Sequence, residues 1–231
     1  MESSVCSIPE VSGDATRARL VAAGLQLFGS IGYDAVTTRR LAAQAEVNQA
    51  AIPYHFGGKR GVYLAVAQHL CDTTGCSIRQ AVVRARVALV SEGAEAAHVL
   101  AEFIVSCVDV VVGREQGLLQ YAFFVREQLS PSAAFDLIYD QILLPVHALV
   151  CDVLEALGQG GANAPSTMLL AESFLAQVSG FVTGRVLLQR RLDVDELDQV
   201  AVLDTVRRFT IAAVRGLQAM NTEKFPGLFG R

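Results

Sequence analysis

Between Thr37 and Lys59 the chain sets polar and basic side chains among small ones: Thr37-Thr38-Arg39-Arg40, then Asn48-Gln49-Ala50-Ala51, then Tyr54-His55 and Lys59. These residue types suit contact with a nucleic-acid duplex. Thr37, Tyr54, His55 and Lys59 are of the kind that holds phosphates, which fixes register rather than sequence. Asn48 and Gln49 offer paired donor and acceptor groups that match the adenine edge, and the methyls of Ala50 and Ala51 can touch thymine methyls. Small residues at 50 and 51 also let a helix sit deep in a major groove. With Thr38, Arg39 and Arg40 added, these eleven residues are the candidate DNA-binding set. The same pattern would also suit a small helical bundle with a solvated face.

Nothing in the sequence supports catalysis. It has no G-x-S-x-G, no P-loop and no H-E-x-x-H, and its four histidines are scattered. His69, Cys71 and Cys76 fall near the end of one helix, but their spacing matches no zinc motif. On one helix Cys71 and Cys76 would point about 140° apart. No cofactor and no metal are expected.

Short helices must position the polar set. Periodicity is helical almost throughout. A first helix is expected over Asp14–Ser30, with Leu20, Leu27, Phe28 and Ile31 as its apolar stripe and Gly32 at its end. Thr38–Ala45 and Gln49–Phe56 form the second and third, joined by the turn Glu46-Val47-Asn48. Neither is long enough to be stable alone, so both must pack on the first through Leu41, Val47 and Ile52. If Asn48 caps the third helix, Pro53 removes its bond to the Gln49 carbonyl, and the helix loosens or ends early. A longer fourth helix starts at Lys59 or Arg60 and runs to about Asp72. Further helices are expected at 78–90, 95–112, 115–128, 131–156, 166–190 and 195–219. Ser130-Pro131 marks one start, and Pro145 implies a kink. The fold class is all-α: residues 1–13 as a flexible arm, 14–60 as a helix-turn-helix domain, 61–220 as a larger helical domain, and 221–231 as a tail.

Charge divides the chain in the same way. Residues 14–60 hold six bases against three acids, a net +3, while 61–231 hold thirteen bases and eighteen acids, a net −5. Only the N-terminal part is therefore suited to a polyanion. The composition, 52% hydrophobic and 18% charged, provides a sizeable core and argues against disorder. Met1–Gly13 lacks the basic start and apolar run of a secretory leader. The five cysteines (Cys6, Cys71, Cys76, Cys107, Cys151) are irregularly spaced, which fits free thiols in a reducing cytoplasm. The longest apolar run, Ala96–Val112, is interrupted by Glu102 and Asp109 and is too short to span a membrane.

Thr16–Lys59 resembles the DNA-binding domain of TetR-family transcriptional regulators. The resemblance rests on Leu27-Phe28 with Gly32-Tyr33, Thr37-Thr38-Arg39-Arg40-Leu41-Ala42, Ala45-Glu46-Val47, and Tyr54-His55-Phe56 followed by Lys59. The stretch Ala50–Gly57, with Arg126-Glu127 before Ser130-Pro131, further resembles the CecR-type subgroup. Pro53 stands where an aromatic residue is usual, and Gly58 where a capping Ser or Asn is commoner. The resemblance implies a homodimer, a C-terminal helical domain for ligand binding and dimerisation, and repression of nearby genes relieved by a small apolar effector. An activator or a ligand-independent regulator would share the fold, as would a small-molecule-binding protein with a non-functional head. A dimer must set two recognition helices about 34–36 Å apart to read a palindrome. Ala176, Gly180 and Gly184 leave one helix face bare for a partner, with Phe174, Val178 and Phe181 supplying apolar area; close packing within one subunit is the alternative. Candidate effector-binding groups are His98, Glu102, Tyr121, Arg126, Gln177 and Arg185, polar residues set among phenylalanines and aliphatics.

Overall fold

A computed structural model describes residues 11–93, 95–113 and 116–222; all regular structure in these residues is helical. Chain order is α1 (Val11–Ile31), α2 (Thr38–Gln44), α3 (Ala51–Phe56), α4 (Lys59–Asp72), α5 (Thr74–Leu89), α6 (Ala96–Val112), α7 (Gly117–Leu129) and α8 (Ala133–Ile138). A π-helical turn, Tyr139–Leu143, leads into α9 (Leu144–Ala156), followed by α10 (Pro165–Thr183), α11 (Arg185–Leu192) and α12 (Gln199–Thr222). The expected arm over 1–13 is corrected in part: Val11 to Gly13 already belong to α1. Residues 1–10 with Cys6, and the tail from 223, lie outside the described residues.

The helices fall into two compact units. The first comprises the residues up to Leu70 together with Leu119–Ile138; the second comprises Cys71–Leu118 and Tyr139 onward. The sequence division at residue 60 thus assigns 119–138 to the larger domain, whereas the structure groups them with the N-terminal helices. In the first unit Leu20, Phe28, Leu41, Ile52 and Phe123 are fully buried. In the second, α6 is the central element: Leu100, Ala101, Ile104 and Val108 have no exposure, and α5, α9, α10 and α12 pack around it. Burial of that much apolar surface is the main stabilising contribution.

The segment 131–156 departs from the expectation of one kinked helix. It starts two residues later, with Ser132 rather than Ser130 as the cap: its Oγ accepts from the Ala134 N–H at 3.1 Å. The π-helical turn then precedes Pro145. Proline has no N–H for the carbonyl of residue 141. The Gln141 carbonyl instead accepts a long hydrogen bond, 3.4 Å, from the Arg79 guanidinium. By length and composition Ala133–Ala156 could cross a membrane, but its α9 part is a core helix, with Leu149, Val150, Val153 and Leu154 buried. The expected helix 166–190 is divided at Gly184 into α10 and α11.

Candidate nucleic-acid interface

The helix-turn-helix assembles from local rules. Thr37 caps α2, its Oγ1 accepting from the Arg40 N–H at 3.2 Å. The exit from α2 is a Schellman turn. Val47 N–H bonds the Ala42 carbonyl at 3.0 Å and Glu46 N–H bonds the Ala43 carbonyl at 3.2 Å, with Glu46 in the left-handed region at φ 53°. Leu41 and Ile52 are buried against α1, as the spacing predicts, and Val47 is half-buried. This leaves Thr37, Arg39, Arg40, Asn48, Gln49, Ala50 and Tyr54 exposed, with Thr38, Ala51 and His55 half-buried beside them. Tyr54 is 84% exposed, its ring edge-on to His55.

Two expectations for α3 are corrected. The helix begins at Ala51, not Gln49, and Asn48 is not its side-chain cap. Asn48 instead makes an Asx-turn, Oδ1 accepting from the Ala50 N–H at 2.9 Å. Pro53 is then the third residue of the helix, inside the first turn, where N–H groups have no helical partner. The Gln49 carbonyl is occupied by Ile52 N–H at 3.2 Å, and the helix continues to Phe56. Pro53 therefore neither breaks nor shortens it.

The end of α3 is held from a distance. Gly57 adopts φ 71°, and its N–H bonds the Pro53 carbonyl at 3.0 Å. Arg17 of α1 donates to the His55 carbonyl at 2.8 Å and lies 4.7 Å above the Phe56 ring. A cation at a helix C-terminus and over an aromatic face stabilises both. The sequence reading missed Arg17, because its partners lie 38 or more positions away and no local pattern marks it.

Gln49 and Lys59 are also engaged within the chain. Gln49 Nε2 donates to Thr38 Oγ1 at 3.0 Å, leaving its Oε1 and its second N–H for a base. Lys59, expected among the phosphate holders, turns inward. Its Nζ donates to the Tyr33 and Val36 carbonyls at 3.0 and 2.9 Å and lies 4.1 Å from the Tyr33 ring centroid. It ties the start of α4 to the α1–α2 connection, the job Gly58 leaves without a capping side chain.

Comparison with known proteins bears on this geometry. Residues 20–66 match the model of bacterial regulatory proteins of the tetR family. Residues 96–217 match the C-terminal domain of the HTH-type transcriptional dual regulator CecR. The chain belongs to the TetR family. The CecR protein of Shigella flexneri is 30% identical over 177 residues, covering 76% of this chain and 79% of its own. The transcriptional regulator BetI of Brucella canis is 27% identical, covering 75% and 97%. A TetR-family regulator from Streptomyces coelicolor shares the fold with a TM-score of 0.62 at 18% identity, covering 92% of this chain and 98% of its own. A transcriptional regulator structure from Pseudomonas aeruginosa PAO1 gives 0.61 at 20%, covering 88% and 92%. The chain is a DNA-binding transcriptional regulator and not an enzyme. TetR-family regulators bind operators as dimers and are soluble proteins.

The part of this TetR-family chain that matches the CecR C-terminal domain holds all six effector candidates and all six dimer candidates, and the effector candidates fall in both units. Tyr121 and Arg126 belong to the first unit. His98 is exposed and paired with Glu95, and Glu102 is exposed and paired with Arg207, Nε to Oε1 2.6 Å. Glu102 is held below the usual carboxylate range by that hydrogen bond. Gln177 exchanges hydrogen bonds with Thr210 of α12, and Arg185 opens α11. Of the dimer candidates, Phe174 is corrected: it is 4% exposed, in the core of its own unit. Ala176 and Gly180 are exposed, Val178, Phe181 and Gly184 half-buried. Phe209, exposed on α12 together with Ala212 and Gly216, escaped the sequence reading. Among the described residues no cluster of His, Cys, Asp or Glu could hold a metal.

Proposed function

We propose that this chain is a cytoplasmic, homodimeric repressor. It reads a palindromic operator through the turn and α3, and it is released when a small apolar effector binds the second unit. The observation that carries this reading is the exposed row Thr37, Arg39, Arg40, Gln49, Ala50 and Tyr54 on a short helix pair whose inner face is fully buried. Gln49, oriented by Thr38, is the base reader; Arg39 and Arg40 supply phosphate contacts with Thr37, Tyr54 and His55. Lys59 acts from inside, by fixing the start of α4. The exposed small residues Ala176 and Gly180 on α10, and Ala212 and Gly216 on α12, support dimerisation by close approach of a second copy. Release requires only that the effector bind one conformation more tightly; about 1–3 kcal/mol of coupling suffices.

The test is a mobility-shift titration of the full chain against the DNA upstream of its own gene, repeated across salt. A discrete complex that weakens steeply with salt supports the reading, and no complex at low salt rejects it. The Shigella flexneri relative is named a dual regulator, which favours a second reading in which the same complex activates some promoters. In vitro transcription from the bound promoter, with and without the protein, separates the two.

A further inference from the structure

Arg126 and Glu127 are neighbours on α7, yet both reach the DNA-reading helices. Arg126 Nη2 donates to the Ser30 carbonyl at 2.9 Å and the Gly29 carbonyl at 3.4 Å. These belong to the last turn of α1, whose carbonyls have no helical partner and whose dipole favours a cation. Glu127 is 2% exposed. It accepts from the Tyr63 hydroxyl of α4 at 2.5 Å, and from the Ser132 N–H at 3.1 Å and hydroxyl at 2.9 Å just before α8. The Tyr63 ring in turn lies 4.9 Å from those of Phe28 and Tyr33 and 4.7 Å from that of Phe123 on α7.

Two glycines at the end of α1 make room for this. A Cβ at Gly29 would lie 2.8 Å from Leu119, side chain and carbonyl oxygen alike, and one at Gly32 would lie 3.0 Å from Arg126 Nη1. Burial of Glu127 without Tyr63 and Ser132 would leave an unmatched carboxylate, a costly arrangement.

We infer that Arg126 and Glu127 are positioning residues for operator binding: they make α7 and the start of α8 part of the body that presents α3. This rests on the DNA-binding reading above. Displacement of α7 is then delivered to α1 directly, in addition to any path along α4.

The test uses the full chain and a duplex that the wild-type protein selects from a random pool, together with the same half-sites moved apart by one base pair and a single half-site. Arg126→Met and Tyr63→Phe should each lose about tenfold in affinity for the selected duplex. Half-site binding should be unchanged, so that discrimination between the two spacings narrows. Arg126→Lys should restore part of it. Arg86→Met, which breaks a half-exposed pair with Asp152 in the second unit, should change nothing. Equal losses on all three duplexes would mean a merely structural role and overturn the inference, as would unchanged affinities.

If the wild-type protein selects no duplex, the DNA-binding reading fails instead. Hydrogen exchange then decides the body assignment. Loosening the head with Leu41→Ala, or with Ile52→Val if that variant does not fold, should deprotect Tyr121–Leu129 together with α1–α4 and spare Val146–Leu154. Independent exchange of Tyr121–Leu129 would overturn the assignment.

Discussion

Gln49 reaches back across the turn to Thr38, its Nε2 donating to the hydroxyl at 3.0 Å. The amide is thereby oriented before any base arrives, on a residue that is exposed. Thr38→Val keeps the shape of the side chain and removes the acceptor. It should flatten base preference at one operator position per half-site, as Gln49→Ala should at the same position, by about 1–3 kcal/mol of discrimination. Arg39→Ala and Arg40→Ala should instead weaken binding to all sequences and lower the salt slope by about two units each, one per half-site. Binding titrations against single-base operator variants at several salt concentrations separate these patterns. Preference lost at different positions in the Thr38 and Gln49 variants would break the proposed pairing.

The left-handed residue between α2 and α3 gives a stability prediction. Glu46 sits at φ 53° with an exposed side chain. A side chain in that conformation costs roughly 1–2 kcal/mol that glycine does not incur. Glu46→Gly should therefore stabilise the chain by about 1 kcal/mol, and Glu46→Val should destabilise it. Urea midpoints followed by circular dichroism check both; a destabilised glycine variant would mean that the Glu46 side chain contributes more than the strain removes.

The existence of the helices was legible because apolar residues recur at helical spacing, and the helix-turn-helix was legible because its capping and turn residues are local. Thr37 caps α2 and Gly57 ends α3 as their types suggest. What could not be read depended on partners distant in sequence. Arg17, which holds the end of α3, looks like an ordinary surface arginine until the chain folds, and Arg126 reads from the sequence as an effector group rather than as the residue that holds the end of α1. Pro53 was misread for a different reason. The rule that proline disrupts a helix depends on where the helix begins, and a two-residue shift in the start of α3 moves Pro53 into the tolerant first turn. Polarity among apolar neighbours marks candidate effector groups and surface ion pairs such as Glu102–Arg207 alike.

That ion pair should matter little. Glu102 and Arg207 keep about half and a third of their side-chain surface in water, with exposures of 56% and 37%. Exposed pairs contribute about 0–1 kcal/mol. Because the Glu102 carboxyl is held below its usual range, its contribution is present at neutral pH and is lost as pH falls through that lowered value. Arg207→Ala should lower stability by less than about 1 kcal/mol. The loss should shrink in high salt and vanish in acid, as differential thermal melts at pH 7 and in acid would report. A large, salt-independent loss would mean that Arg207 acts through packing of its stem.

Burial raises the Cys71 thiol to about 11 and the Cys107 thiol to about 12. Ordinary thiols ionise near 8.5. The folded state thus keeps protons that the unfolded state releases, and stability should fall as pH rises above about 8.5. Among the four cysteines of the described residues, alkylation at pH 8 should label half-buried Cys76 first, with Cys71, Cys107 and Cys151 reacting only on unfolding. Mass spectrometric mapping of a time course reads the order. Early labelling of Cys107 would show that the α6 core opens locally.

The dimer proposal predicts a loss of assembly without a loss of fold. Gly180 on α10 and Gly216 on α12 are exposed, and a Cβ at either would meet nothing within 4 Å. Within one subunit, Gly180→Leu and Gly216→Leu therefore have open space at Cβ, and leucine favours a helix over glycine by up to about 1 kcal/mol. Against a symmetry-related copy the same side chains are obstacles, and twofold symmetry applies each obstacle twice. Sedimentation should show monomers with undiminished helical content. Operator affinity should fall, because a single half-site is then read at a time. Variants that stay dimeric would place the interface on another face of the second unit.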